Sequence, residues 1–416
     1  METGSAQRQA VTGLPTSGSA GARRLRGHQE PVDLTILDNV QGKAFVYKYD
    51  QGTWRATPIP LPENASVSLQ AASDETEEVM FAVSNFLRPT SLYYFDAASQ
   101  RLEPLKMAPP QFDASQHIVE QFEATSRDGT RIPYFLVRPR NARFDGSTPT
   151  LLHGYGGFQK PLLPSYAGVM GRLWLEQGNA YVVANLRGGG EFGPLWHEAA
   201  QAATKQRTWD DFIAVAEDLI RRNVTSPRRL GVVGGSQGGL LVRTAITQRP
   251  DPFNAAIVQV PLFDMLRFTK LGAGASWTGE YGDPAIPEQR EWLEAYSPYQ
   301  KLVPGKTYPV PFILTSTKDD RVHPAHGRKA AARLTALGQP YFYYENIDGG
   351  TAPPPISLNM HAAWHSNTPM HSDGLWIESG PGADSLNRQL QTAADQHQPV
   401  WSPRSSSGPR RRARIL

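Results

Sequence analysis

The chain of 416 residues contains no cysteine. That excludes disulfides, a thiol nucleophile and a thiolate-held zinc, and it fits a reducing compartment. No apolar run approaches the roughly 18–20 residues that span a bilayer, so no membrane partner is expected. Arg23, Arg24 and Arg26 have no apolar stretch beside them, which is not the pattern of a secretory signal. An excess of either charge is also lacking: 42 Lys+Arg stand against 39 Asp+Glu, a net +3. Nucleic acid is therefore not expected as a partner, and the run Arg410, Arg411, Arg412 reads as a solvated tail. The expectation is a soluble, cytoplasmic protein.

Glycine and proline are plentiful instead, and their placement divides the chain into four textures. Residues 1–30 are rich in Ala, Gly, Ser and Arg without an apolar period. Such a segment buries too little surface to offset its ordering entropy and is expected to be disordered. Residues 31–110 carry short β-branched and aromatic runs, KAFVYKY, VMFAVSNF and SLYYFDAASQRLEPL. Asp50-Gln51-Gly52 and Asp96-Ala97-Ala98 supply turns. This is the pattern of antiparallel meanders, as in propeller blades, with too few strands to close a propeller. Unpaired sheet edges are adhesive, so this part is expected to aggregate or to order poorly.

Residues 111–350 read as α/β. Apolar runs end in glycine-rich turns, as in PTLLHGYGGF, AYVVANLRGGGEFG and RLGVVGGSQGG, or run as AAIVQVPL and PFILTSTKDD. Helical periods lie between them. In WDDFIAVAEDLIRR, Phe212, Val215, Ala216, Leu219 and Ile220 share one face, and Asp211, Glu217 and Asp218 are expected to lie mostly away from it. Continuous apolar strands alternating with helices predict a parallel sheet buried on both faces. After Gly350 the period is lost. Residues 351–416 read as an aberrant or disordered tail where such a domain should close on a helix.

The strongest chemical signal is Gly234-Gly235-Ser236-Gln237-Gly238-Gly239, between the apolar strand Leu230–Val233 and the helical LLVRTAITQ. Gly-x-Ser-x-Gly between strand and helix is a nucleophile elbow. The turn is so tight that neighbours must lack side chains, and the helix N-terminus offers N–H groups to a developing oxyanion. A phosphate loop is the other reading of such glycines, but no lysine follows the last one. The second signal is FILTSTKDDRVHP, an apolar strand ending in Asp319-Asp320. An acid there, after the serine in chain order, can orient an imidazole; a plain Asp-rich turn is the bland alternative. These motifs require neither a cofactor nor a metal.

LLHGYGGFQKPLLPSY, ANLRGGGEFGPLWHEA, GGSQGG, GASWTGEYGDP, YSPYQKL and TSTKDDRVHPAH occur in this order. Together they resemble the prolyl oligopeptidase family of serine peptidases, from about Gln121 to Gly350. The resemblance implies an α/β-hydrolase domain beside a substrate-filtering β-propeller, of which residues 31–110 would be the last blades. It implies Ser236 as nucleophile, Asp319 as the acid, and the Tyr155 hydroxyl with the Gln237 N–H as the oxyanion hole. Phe158, Trp277, Tyr281 and Val322 match an apolar pocket for a substrate proline, and Arg321 matches an arginine that holds a substrate carbonyl. Without the family, the aromatic residues would read as ordinary core.

The pattern breaks at one place. The family's catalytic histidine follows two glycines after the strand here written YFYYENIDGG, and this chain has Thr351 there. Threonine does not accept a proton near neutral pH, so Ser236 lacks its general base. All later resemblance stops at the same point, which a shifted reading frame explains together with the missing base. A one-base shift after Gly350 permits Gly-Gly-His, then a helix-forming string with Met, Leu and Tyr on one face. At His361, His365 and His371 the shifted residue is forced to alanine, because the preceding Met or Trp codon ends in G. The remaining histidines, His153, His197, His323 and His326 among them, are not placed in chain order or anchoring to replace the base.

Three readings compete: an oligopeptidase cleaving short peptides after proline through an acyl-enzyme on Ser236, a catalytically dead pseudoenzyme that binds peptides, and an esterase on the same fold. Tyr155 and Arg321 speak against the esterase.

Overall fold

The computed structural model describes residues 32–350 apart from 52 and 73–75; the expectations for residues 1–30 and 351–416 lie outside the described residues. Three sheets form. Strands β1 (Val32–Asp38), β2 (Gln41–Asp50) and β3 (Thr53–Ile59) make an antiparallel meander, and β4 (Ala65–Ala72), β5 (Glu78–Asn85), β6 (Ser91–Asp96) and β7 (Arg101–Met107) make a second. Side chains alternate across a pleated strand, so Val79, Phe81 and Val83 of β5 and Tyr93 and Phe95 of β6 turn inward. They pack with Ala44, Val46 and Ile59 of the first sheet. The outer strand β7 leaves Leu105 and Met107 about half exposed, 47% and 53%, as expected of sheets with open edges.

The third sheet has eight strands in the order β15-β14-β13-β12-β10-β11-β9-β8. Its members are β8 (His117–Thr125), β9 (Arg131–Pro139), β10 (Thr150–His153), β11 (Ala180–Ala184), β12 (Leu230–Gly235), β13 (Ala255–Gln259), β14 (Val310–Ser316) and β15 (Phe342–Asn346). Strands β10 to β15 are parallel. The expectation of a wholly parallel sheet needs correction at one side, where β9 runs antiparallel to both β8 and β11. The cause is local. β8 and β9 are joined by a tight turn in which Ser126 N–H donates to Thr130 O at 2.8 Å and Gly129 takes φ +88°, and so short a link allows only an antiparallel return.

Along the parallel strands successive residues enter different cores. Leu152, Val232, Ala256 and Val258 join Phe212, Val215 and Leu219 of the helix Gln206–Arg221 and Leu241 and Ala245 of the helix Gln237–Gln248. Leu151, Val233 and Ile257 face the other way, towards Trp174, Phe135 and Phe312. Both faces are thus covered, which is why these strands read as continuous apolar runs. Asp211 and Asp218 correct a second expectation, since both are buried. Asp211 pairs with Arg187, and Asp218 accepts from the Tyr134 hydroxyl at 2.8 Å and from Arg222 Nε at 2.7 Å. Buried partners outweigh the solvation that periodicity alone would assign to a carboxylate. No helix among the described residues is long and apolar enough to cross a membrane.

Arg243, in the helix Gln237–Gln248, is 1% exposed, and its Nε and Nη2 have no hydrogen-bond partner among the described residues. The Phe263 ring lies 4.9 Å from the guanidinium carbon, and burial lowers its pKa to about 9. A cation held by one ring is undercompensated. Arg243→Met is expected to raise stability by about 1–4 kcal/mol, read as a higher urea midpoint with an unchanged slope; a lower midpoint would show that the guanidinium is needed for packing.

Candidate active site

Ser236 joins β12 to the helix Gln237–Gln248 with φ 57° and ψ −119°. A non-glycine residue in that region is strained and persists only where its surroundings fix it. Here its N–H donates to Gln259 O at 2.9 Å, and its O accepts from Leu240 N at 3.1 Å. The flanking glycines are sterically required: a Cβ on Gly234 would stand 2.2 Å from Gly238 O, and one on Gly238 2.7 Å from Gly154 O. The side chain of Ser236 is half-buried, while Gln237 is fully buried. As the first helical residue, Gln237 carries a backbone N–H with no intrahelical acceptor.

Tyr155 follows β10, the strand beside β12. Its phenol stands near enough to the Ser236 side chain for the serine to bear on its ionisation. Burial pushes the Tyr155 phenol above its ordinary pKa; the Ser236 hydrogen bond and the Arg321 charge oppose the rise, and the Glu280 charge adds to it. The phenol is therefore held neutral, as a hydrogen-bond donor. Asp319 follows β14, with β13 lying between that strand and β12. It is 3% exposed, and its Oδ1 accepts from Arg321 N at 3.0 Å and Val322 N at 2.9 Å. Ser236, Tyr155 and Asp319 thus all follow the C-terminal ends of parallel strands of one sheet, where α/β sheets open their crevices.

The apolar residues gather beside them. Tyr281 is fully buried, its hydroxyl donating to Gln237 Oε1 at 2.6 Å. The Phe158 ring meets it edge-on at 5.7 Å and is itself 39% exposed. Val322 is buried in the same apolar cluster as Tyr281, and the half-buried Trp277 packs against that cluster. Arg321 is exposed. Gln237, Tyr281 and Phe158 thus form a chain of contacts next to Ser236, and Trp277 and Val322 belong to the apolar cluster that includes Tyr281.

Among the described residues, each histidine is engaged elsewhere. His153 Nδ1 meets the Tyr181 hydroxyl at 2.8 Å, and burial lowers its pKa to about 4. It lines a cavity of about 410 Å³ with Leu162, Tyr166 and Met170, and none of the expected site residues lines that cavity. His326 Nδ1 accepts from Phe263 N and Asp264 N at 3.1 and 3.2 Å, and burial again lowers its pKa to about 4. His323 Nδ1 accepts from Ala325 N at 3.1 Å, His197 Nε2 meets Glu280 Oε2 at 2.7 Å, and His117 Nε2 meets Leu175 O at 2.9 Å. Thr351 lies outside the described residues. The chain approaching it is fixed, however: Lys318 N–H donates to Gly349 O at 3.2 Å, which lays the end of the β15 loop against the turn that carries Asp319.

Sequence reasoning missed one group altogether. Lys205 is completely buried; its Nζ donates to Gly156 O at 2.9 Å and to Glu280 Oε1 at 2.6 Å. Burial lowers the Lys205 pKa, and Glu280 opposes that shift. The two residues lie 75 positions apart, and no spacing rule joins them.

A serine elbow at the carboxyl edge of a mostly parallel eight-stranded sheet defines an α/β-hydrolase. Comparison with known proteins narrows the class. The model of the prolyl oligopeptidase family matches residues 169–350, and that of the prolyl oligopeptidase N-terminal β-propeller domain matches residues 27–108. The chain belongs to the prolyl oligopeptidase family. An uncharacterized peptidase of Sinorhizobium fredii is 49% identical over 329 residues, 79% of this chain and 45% of the relative. A prolyl endopeptidase of Elizabethkingia miricola is 35% identical over 292 residues, 70% of this chain and 41% of the relative. Among solved structures, a post-proline cleaving enzyme from Rickettsia typhi superposes with a TM-score of 0.72 at 38% identity, covering 81% of this chain and 49% of the other. The chain spans about half the length of the relatives it matches.

Proposed function

We propose that residues 111–350 form the catalytic domain of a post-proline oligopeptidase and residues 31–110 a partial propeller beside it. Ser236 is the nucleophile, Asp319 the orienting acid, and the Tyr155 hydroxyl with the Gln237 N–H the oxyanion hole. Phe158, Trp277, Tyr281 and Val322 enclose a substrate proline, and Arg321 holds a carbonyl of a short peptide. The observation that carries this reading is the strained Ser236 elbow, its flanking glycines sterically required, with Tyr155 following the adjacent parallel strand. The absence of cysteine supports a reducing, cytoplasmic setting.

Among the described residues the site has no general base. Thr351 stands where the imidazole belongs, and the described histidines are already engaged. The family match ends at residue 350, which supports a frame shift at that point. On this reading the chain as it stands retains a peptide site in which no described residue activates Ser236.

A fluorophosphonate probe tests this, because it labels only an activated serine. The unmodified chain is expected to label no faster than Ser236→Ala. With the shifted frame restored, labelling is expected on Ser236. Rapid labelling of the unmodified chain at Ser236 would reveal another base, and labelling at a different serine would overturn the nucleophile assignment.

A further inference from the structure

Behind the site, three polar side chains converge on one backbone oxygen. Gly156, the residue after Tyr155, presents its carbonyl to Lys205 Nζ at 2.9 Å and to Gln237 Nε2 at 3.1 Å, with Thr208 Oγ1 more distant at 3.4 Å. Gly156 is at φ +64°, and a Cβ there would stand 2.4 Å from Thr208 Cγ2, so only glycine fits at this position. Gln237 is the residue after Ser236, and the Tyr281 hydroxyl fixes its Oε1 at 2.6 Å. Lys205 is held in turn by Glu280, the neighbour of Tyr281, whose other oxygen meets His197 at 2.7 Å. The Lys205 ammonium also lies 5.8 Å from the ring centroids of both Trp209 and Tyr281.

We propose that the buried Lys205–Glu280 pair is the positioning device of the oxyanion site. By clamping the Gly156 carbonyl it fixes the distance between the Tyr155 hydroxyl and the Gln237 N–H, the two donors that must converge on one oxygen. This rests on the oxyanion assignment proposed above. Neither residue touches substrate; both act through Gly156. An ion pair suits the task because a fully desolvated ammonium–carboxylate pair tolerates little displacement, and donors lose their catalytic worth when they are misaligned.

The test needs no turnover and uses the full chain as it exists. Two ligands are compared by calorimetry: N-benzyloxycarbonyl-glycyl-proline, whose carboxylate reaches the oxyanion donors, and N-benzyloxycarbonyl-glycyl-pyrrolidine, which fills the proline pocket but has no carboxylate. The ratio of their affinities reports the donors alone. Lys205→Met/Glu280→Gln removes both charges, so no buried charge is left unpaired and the net charge near the ligand does not change. The ratio is expected to fall about tenfold, the scale of a hydrogen bond to a charged group, while pyrrolidine-ligand affinity stays within about twofold. Lys205→Met/Glu280→Met is the second variant should the first not fold, with folding checked by near-ultraviolet circular dichroism. A merely structural pair would weaken both ligands alike, and that result, or an unchanged ratio, overturns the proposal. If the unmodified chain binds neither ligand, the peptide-site reading fails and takes this proposal with it; if it binds both without preferring the carboxylate, only the oxyanion part fails.

Discussion

On a short proline-containing chromogenic peptide, the unmodified chain is expected to be slower than its frame-restored counterpart by a factor on the order of a million, the cost measured when one member of a cooperating triad is lost. Ser236 has its elbow and Tyr155 follows the adjacent strand, but a serine hydroxyl without a base stays protonated near neutral pH. Thr351→His alone is expected to recover only part of the activity. The loop is tied to the Asp319 turn through Lys318 and Gly349, yet the single substitution leaves every residue after position 351 unlike the helix-forming string that the shifted frame permits. Initial rates of the three forms, each beside its Ser236→Ala control, decide the matter. Ser236-dependent hydrolysis by the unmodified chain would mean that another group takes the proton.

Arg187→Met is expected to lower stability by about 3–5 kcal/mol, because it leaves a buried carboxylate without its cation. Arg187 is 4% exposed and clamps Asp211 through Nε at 2.9 Å and Nη2 at 2.6 Å, while Nη1 donates to Thr130 Oγ1 at 3.1 Å. Asp211 is wholly buried, and burial pushes its pKa up despite the arginine. One residue therefore ties the glycine-rich loop after β11 to the helix Gln206–Arg221 and to the β8–β9 turn. Urea unfolding reads the loss, and Arg187→Met/Asp211→Leu should recover the part that comes from Asp211, since an apolar pair carries no desolvation cost, but not the part from the Arg187 pair with the half-exposed Asp128. A single-variant loss below about 1 kcal/mol would show that Ser126, which donates to Asp211 Oδ1 at 2.6 Å, suffices to hold the carboxylate.

The elbow was legible in the sequence because its constraint is local. A residue at φ 57° between strand and helix demands small neighbours, and Gly234 and Gly238 record that demand. The doubly covered sheet was legible too, since strands buried on both faces must be apolar at every position. Asp211 and Asp218 were misread because periodicity assigns a carboxylate to solvent, whereas their partners Arg187 and Tyr134 lie 24 and 84 positions away. The antiparallel β9 was missed because an apolar strand reads alike in either direction; the tight Ser126–Thr130 turn sets its course.

The sequence by itself determined the serine turn, the order of the strands in the chain, the apolar faces and the threonine at position 351, each a property of adjacent residues or of a short period. Only the tertiary structure decided which strands are neighbours, and hence that Ser236, Tyr155 and Asp319 meet at one sheet edge. It also decided that Lys205 and Glu280 are buried together beneath them. The physical reason is desolvation: whether a charge can lie inside depends on the partner it meets there, and that partner is chosen by packing across the chain.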